Sequence, residues 1–161
     1  MKSIILVRHA KSSWKYDVPD DKRPLKSRGK TDAVLVANEF LKYNISPDSI
    51  FSSPAKRALM TCNIFLRSLN FEKNDVQIVD NLYDFSGENV ISFIKSLNND
   101  LSTVMIFGHN HAFTSITNIF GTINLENLPT SGLVKLNFDI SDWTQLEKGK
   151  TEFIIIPKEL K

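Results

Sequence analysis

Ile4-Ile5-Leu6-Val7-Arg8-His9-Ala10 decides how the rest of this chain is read. Ile4 to Val7 is a short run of apolar, largely β-branched residues, which reads as a strand buried on both faces. A guanidinium and an imidazole follow at once, at the carboxyl end of that strand. In open α/β sheets, ligands bind in the crevice beyond the carboxyl ends of the strands. Arg8 and His9 placed there point to chemistry on an anion, a phosphoryl group before any other.

Outward from this strand, strand and helix patterns alternate. The stretch from Lys11 to Pro24 is a polar loop punctuated by Pro19 and Pro24. A helix is expected from about Ser27 to Tyr43, with Ala33, Val34, Ala37, Phe40 and Leu41 at helical spacing. Ser49 to Ser52 reads as a second strand, and Pro54 as the opening of a helix that runs to about Leu69. Val76 to Val79 is a third strand. A helix follows over Glu88 to Leu97, then a strand at Thr103 to Phe107 and a helix at Ala112 to Phe120. Leu133 to Ile140 and Glu152 to Ile156 are the last strands, joined by the polar connector Ser141 to Lys150. The alternation predicts an α/β three-layer sandwich: a mostly parallel sheet of about six strands with helices on both faces.

The 161 residues suit one compact domain spanning the whole chain, and 42% hydrophobic residues suffice for a core. A net charge of +2 excludes the strong basic field of a nucleic-acid protein. Cys62 is the one cysteine, so no internal disulfide forms; a reducing compartment and a packing role are expected for it. Lys2 precedes an apolar run that stops at Arg8, too short for a signal peptide. No stretch approaches a membrane span. These features predict a cytoplasmic protein with no nucleic-acid or membrane partner; a monomer is expected.

The chemistry-bearing residues share one setting, the end of a strand or the start of the next helix. Arg8 and His9 follow the first strand, Arg57 the second and His109 the fourth. Parallel strands bring such positions to one edge of the sheet. In order along the chain, Leu6-Val7-Arg8-His9-Ala10-Lys11-Ser12, Ser52-Ser53-Pro54-Ala55-Lys56-Arg57-Ala58-Leu59-Met60-Thr61 and Phe107-Gly108-His109-Asn110 resemble the three motifs of the histidine phosphatase superfamily. Arg23-Pro24-Leu25, Arg28-Gly29 and Leu128-Pro129-Thr130 resemble its SixA-type phosphohistidine phosphatase branch.

The resemblance implies a phosphoglycerate mutase-like fold and a role for each residue. His9 attacks phosphorus through Nε2 and becomes a phosphohistidine; its other nitrogen needs a partner that the sequence does not identify. Arg8 and Arg57 clamp the phosphoryl oxygens with planar forks of donors. His109, when protonated, adds a further charged donor. The arginines supply the positive charge, so neither metal nor cofactor is required. Ser12 is a candidate donor to a phosphoryl oxygen. Asn110 is a candidate substrate contact and a candidate cap for the helix after it. Gly108 is expected to permit a close backbone approach.

Two features depart from the superfamily's pattern. Many members carry a glutamate general acid after the third strand, where this chain reads Asn81-Leu82-Tyr83-Asp84-Phe85-Ser86-Gly87-Glu88. Asp84 and Glu88 are the candidates; Glu88 also fits as an acidic first-turn residue of a helix. Phosphohistidine leaves as an imidazole and does not depend on such an acid, so a preference for phosphoramidates or activated phosphates is expected. His111 stands where relatives commonly have proline; a solvent-facing helix start is favoured over a rim contact or a metal pair with His109. Lys11, Ser12, Ser13, Trp14 and Lys15 are expected at the pocket entrance, and Trp14 is open between loop packing and protein docking. Arg23 and Arg28 are expected to stabilise the loop and first helix.

The leading expectation is a metal-independent phosphatase whose partner is a phosphorylated protein or small phosphorylated molecule. The alternatives are a small-molecule phosphomonoesterase of the same superfamily and a non-catalytic phosphate-binding module. An intact Arg8–His9 pair argues against the module, since a binder needs no nucleophile.

Overall fold

The computed structural model describes residues 1–161, the side chain of Asn74 excepted. Its centre is a six-stranded sheet: β1 (Lys2–Arg8), β2 (Ser49–Ser52), β3 (Val76–Ile78), β4 (Thr103–Gly108), β5 (Leu133–Phe138) and β6 (Lys150–Ile155). The spatial order is β3-β2-β4-β1-β5-β6. β3, β2, β4 and β1 run parallel, while β5 pairs antiparallel with both β1 and β6. The antiparallel pairing of β6 with β5 has a local cause. The polar connector after β5 carries only a short 3-10 turn at Trp143–Gln145, too little chain for a crossover, so β6 folds straight back.

Four helices cover the sheet: α1 (Ser27–Leu41), α2 (Lys56–Leu69), α3 (Glu88–Lys95) and α4 (Ala112–Phe120). α1 and α2 pack through Val36, Phe40, Phe65 and Leu66 on Ile5, Val7, Met105 and Phe107. α3 and α4 pack through Val90, Ile94, Phe113 and Ile116 on the opposite face, against Ile4, Leu6, Val104 and Ile106. Consecutive residues of β1 and β4 thus serve opposite cores, which is why these strands are apolar without alternation. The inward stripe of α1 is Ala33, Val36, Ala37 and Phe40; Val34 and Leu41, which also fit a helical spacing, face solvent. α2 begins at Lys56 rather than at Pro54, with Ala55 as its cap residue.

The topology sets where a ligand goes. From β1 the chain crosses to β2 on one side, and from β4 it crosses to β5 on the other. β1 and β4 are neighbours, so the crevice opens between their carboxyl ends, at Arg8 and Gly108, which are register partners. No helix among the described residues is long and apolar enough to cross a membrane.

Candidate active site

His9 and His109 meet across this crevice, their ring centroids 5.3 Å apart. Arg8 and His9 follow directly from β1, and His109 from β4. Arg57 projects from the first turn of α2, which follows β2. The cleft encloses about 340 Å³, and its wall includes Arg8, His9, Ser12, Trp14, Asp20, Arg57, Phe85 and Asn110. His109 is fully buried beside this wall, its ring centroid 5.2 Å from that of Phe85.

The His9 ring is buried, and its Nδ1 lies 2.8 Å from the Ala10 carbonyl oxygen. A carbonyl only accepts, so Nδ1 carries the proton and Nε2 keeps its lone pair. The backbone here is pinned on both sides. Ala10 N–H donates to Thr61 Oγ1 at 2.9 Å, and Ser131 N–H donates to the His9 carbonyl at 3.1 Å. Burial, followed by the nearby charges of Arg57, Arg8 and Arg23, pushes His9 down to about 3 in spite of the Ala10 bond. His9 is therefore neutral and unprotonated at Nε2 at physiological pH.

Arg8 Nη1 donates to the Leu128 carbonyl at 2.7 Å, which gives the Leu128-Pro129-Thr130 element a structural task. Arg57 is almost wholly buried; Nη1 donates to the Asp20 carbonyl at 2.7 Å and Nη2 to Asp20 Oδ2 at 2.9 Å. Among the described residues, Arg8 Nε, Arg57 Nε, His109 Nδ1 and Ser131 Oγ are buried without a partner. A buried unpaired donor is costly, so the two guanidinium Nε–H groups at one crevice suit an oxyanion. His109 is also held at about 3, by burial first and then by His9 and Arg57, so in the free protein it is neutral.

Asp20 is the residue that motif reading missed. It sits in a 3-10 turn at Asp20–Lys22, accepts from Arg57 and Tyr83, and pairs with Arg23 Nε at 3.1 Å. Desolvation opposes its charge, but hydrogen bonds from Tyr83 and Arg57, the Arg57 charge and the Arg23 bond prevail and hold its carboxyl at about 2. The spacing of Asp20 to Arg23 was a readable ion pair; that it reaches Arg57, far along the chain, was not. The loop is closed by backbone bonds from Ser13 N–H to Pro24 O and from Lys26 N–H to Lys11 O. Gly29 lets α1 meet this loop, since a Cβ there would lie 2.3 Å from the Lys11 carbonyl oxygen.

Arg23 is buried, donates to Ser12 Oγ at 2.7 Å and lies 3.6 Å from the Trp14 ring centroid. Ser12 thus accepts from Arg23 and keeps its own proton to donate into the cleft. Trp14 covers Arg23 with one face and is still 75% exposed. Lys11, Ser12 and Trp14 line the cleft, whereas Ser13 and Lys15 do not: the Ser13 hydroxyl turns back to accept Lys15 N–H. Arg28 is exposed outside the cleft. The Asn110 amide is committed on both ends. Its oxygen accepts from Thr114 N–H and Oγ1, capping α4, and its nitrogen donates to Asn127. His111 is exposed at the start of α4, as expected of a helix-start residue. Gly108 makes room for a side chain rather than for backbone, since a Cβ there would meet the Phe113 ring at 2.7 Å.

Neither candidate acid is placed to act. Asp84 is buried, and its carboxylate accepts from Ser86 N–H and Oγ and from the N–H groups of Gly87, Asn89 and Val90, which anchors the start of α3. Glu88 is exposed in the first turn of α3 and away from the cleft. Cys62 is buried in the core, with its thiol pushed up to about 12 by burial.

Residues 4–89 match the histidine phosphatase superfamily (branch 1). The chain belongs to that family and is a hydrolase acting on phosphoryl groups. It superposes on the protein assigned as phosphohistidine phosphatase SixA from Agrobacterium tumefaciens with a TM-score of 0.80 and 25% identity, over 97% of this chain and 98% of that one. The protein histidine phosphatase SixA complexed with tungstate has the same fold, with a TM-score of 0.84 at 19% identity over 99% of each chain. An uncharacterized chloroplastic protein of Arabidopsis thaliana is 32% identical over 68% of this chain, which spans about half (54%) of that relative. An uncharacterized Mycobacterium tuberculosis protein is 27% identical over 89% of this chain and 93% of its own length.

The neutral state of His9 has a consequence for pH. The value of kcat/KM reports the free enzyme. Corrected for substrate ionisation, it is expected to stay level from pH 7 down to about 5.5, where a histidine near ~6.5 would already be about nine-tenths protonated. An acid limb near pH 6.5 would contradict the assignment. Stability moves in the opposite sense to protonation: between about 3 and ~6.5 the unfolded chain binds more protons at His9 and His109, so acidification through that window destabilises the fold.

Proposed function

We propose that this protein hydrolyses phosphohistidine on protein substrates through a covalent intermediate on His9, within one catalytic domain spanning residues 1–161. The observation that carries this reading is a phosphoryl site with no protonated carboxyl beside it among the described residues. The cleft carboxylate, Asp20, is ion-paired to Arg57 and ionised, Asp84 is used up at α3 and Glu88 lies elsewhere. An alkyl phosphate needs a proton on its leaving oxygen. A phosphohistidine protonated on its unphosphorylated nitrogen leaves as neutral imidazole.

The steps balance without another reagent. His9 Nε2 attacks phosphorus as the substrate's P–N bond breaks, with its electron pair going to the departing imidazole. Arg8 and Arg57 hold the equatorial oxygens, with donors fixed before the charge redistributes. Nδ1 of His9 keeps its proton throughout, donating it to the Ala10 carbonyl oxygen. Water then attacks phospho-His9, orthophosphate departs and the Nε2 lone pair returns. The cleft is open at its rim, where Trp14 and Phe85 are 75% and 48% exposed, which suits the surface of a protein substrate.

The test is a comparison of substrates. A phosphohistidine peptide is expected to be turned over at least about 10²-fold faster than an unactivated alkyl phosphate, a lower bound set by the usual worth of general acid catalysis. Equal kcat/KM on the two would replace this reading with that of a general phosphomonoesterase.

A further inference from the structure

His109 is a buried ring whose two nitrogens stand in unlike surroundings. Nε2 lies 2.8 Å from the Ser53 hydroxyl, whereas Nδ1 has no partner. Both residues are at 0% exposure, so water does not settle their protons. Ser53 Oγ also accepts the backbone N–H of Ala55 at 3.2 Å. Pro54 between them has no N–H to compete, so the first donor of the turn into α2 falls to the serine. One lone pair of the hydroxyl is thus occupied, and its proton remains to be placed.

Two tautomers of a neutral His109 compete. In one, Ser53 O–H donates to a bare Nε2, and Nδ1 carries the ring proton. In the other, Nε2–H donates to Ser53, the serine proton has no acceptor among the described contacts, and Nδ1 is a bare lone pair. The first leaves one unsatisfied group and the second leaves two, so the first is favoured in a dry site. The difference also matters to a ligand. A lone pair at Nδ1 repels a phosphoryl oxygen, whereas an N–H bonds it.

We propose that Ser53 is a positioning residue whose hydroxyl donates to His109 Nε2, fixes the ring proton on Nδ1 and so makes an uncharged His109 a hydrogen-bond donor to the transferred phosphoryl group. This rests on the phosphoryl-transfer reading of the cleft. It accounts for how His109 serves an anion although burial keeps it unprotonated. The chain of donors runs from Ala55 N–H through Ser53 O–H to His109 and on to the phosphoryl oxygen. It is rooted in the turn that also carries Arg57, so one helix start sets both an arginine donor and a histidine donor.

The experiment uses histidine-labelled ¹⁵N protein and two-bond ¹H–¹⁵N correlations, which report which ring nitrogen of His109 is protonated. It is run on wild type, Ser53→Ala and Ser53→Thr, together with kcat on a phosphohistidine peptide and binding of inorganic phosphate. Wild type is expected to be protonated at Nδ1. Ser53→Ala shifts the proton to Nε2 in whole or part, lowers kcat about 10–100-fold and weakens phosphate binding. Ser53→Thr, which keeps the hydroxyl, retains the Nδ1 proton and stays within a few fold of wild type. A wild-type proton on Nε2 overturns the proposal, as does a folded Ser53→Ala with unchanged kcat and phosphate affinity. Should Ser53→Ala not fold, wild type and Ser53→Thr still decide. Failure of the phosphatase reading would appear separately, as wild-type protein with no turnover, while tautomer and phosphate binding remain measurable.

Discussion

His9→Ala is expected to lower turnover on the order of 10⁴-fold or more, the scale on which loss of a nucleophile acts. Wild type incubated with acetyl phosphate or a phosphohistidine protein, without added metal, acquires an acid-labile, base-stable phosphate; the variant acquires none. The reasons lie in the ring's setting. Nδ1 is tied to the Ala10 carbonyl, so Nε2 alone is nucleophilic, and burial beside Arg8 and Arg57 keeps it unprotonated. Removing the ring leaves both arginines in place, so inorganic phosphate still binds and the defect falls on kcat. Two results would count against the assignment. An adduct on His9→Ala would move the nucleophile elsewhere. Phosphate held by wild type but neither transferred nor released would make the protein a binding module.

Arg57→Ala is expected to cost about 10²–10³-fold in kcat/KM, the usual loss when a preorganised donor to a developing oxyanion is removed. Arg57→Lys is expected to recover little of it. The guanidinium is almost fully buried, its Nη1 and Nη2 are held by the Asp20 carbonyl and carboxylate, and its Nε is unpaired. A lysine supplies a point charge without that planar set of donors. It would satisfy either Asp20 or the substrate, not both. Arg57→Lys with activity within about 10-fold of wild type would show that charge alone suffices and that the fork geometry described here is immaterial.

Much of this is legible in the amino-acid sequence itself. The apolar run of β1, the alternation of strand and helix, and the placing of Arg8, His9, Arg57 and His109 at strand ends all follow from local pattern. The reason is that a strand buried on both faces and a one-sided helix each impose a periodicity on their own residues. Position at a carboxyl end is likewise a local property, and parallel packing then turns it into proximity. Where local pattern misled, tertiary packing had overridden it. Val34 and Leu41 fit the helical repeat of α1 yet face solvent, and Pro54 precedes α2 rather than opening it.

The remainder is long-range and short in reach. That Asp20 holds Arg57, that Leu128 holds Arg8, that Ser53 meets His109 and that Asp84 is spent on the start of α3 are contacts of about 3 Å or less. Hydrogen bonding is lost within a fraction of an ångström, and most of these pairs lie tens of residues apart. No periodicity or spacing rule reaches across such separations. The protonation states depend on the same fact: local composition names an imidazole, but burial and the arginines around it leave His9 and His109 neutral. The chain alone was enough to place Arg8, His9, Arg57 and His109 at one edge of the sheet; only the folded packing decided their partners, their protons and which carboxylate faces the cleft.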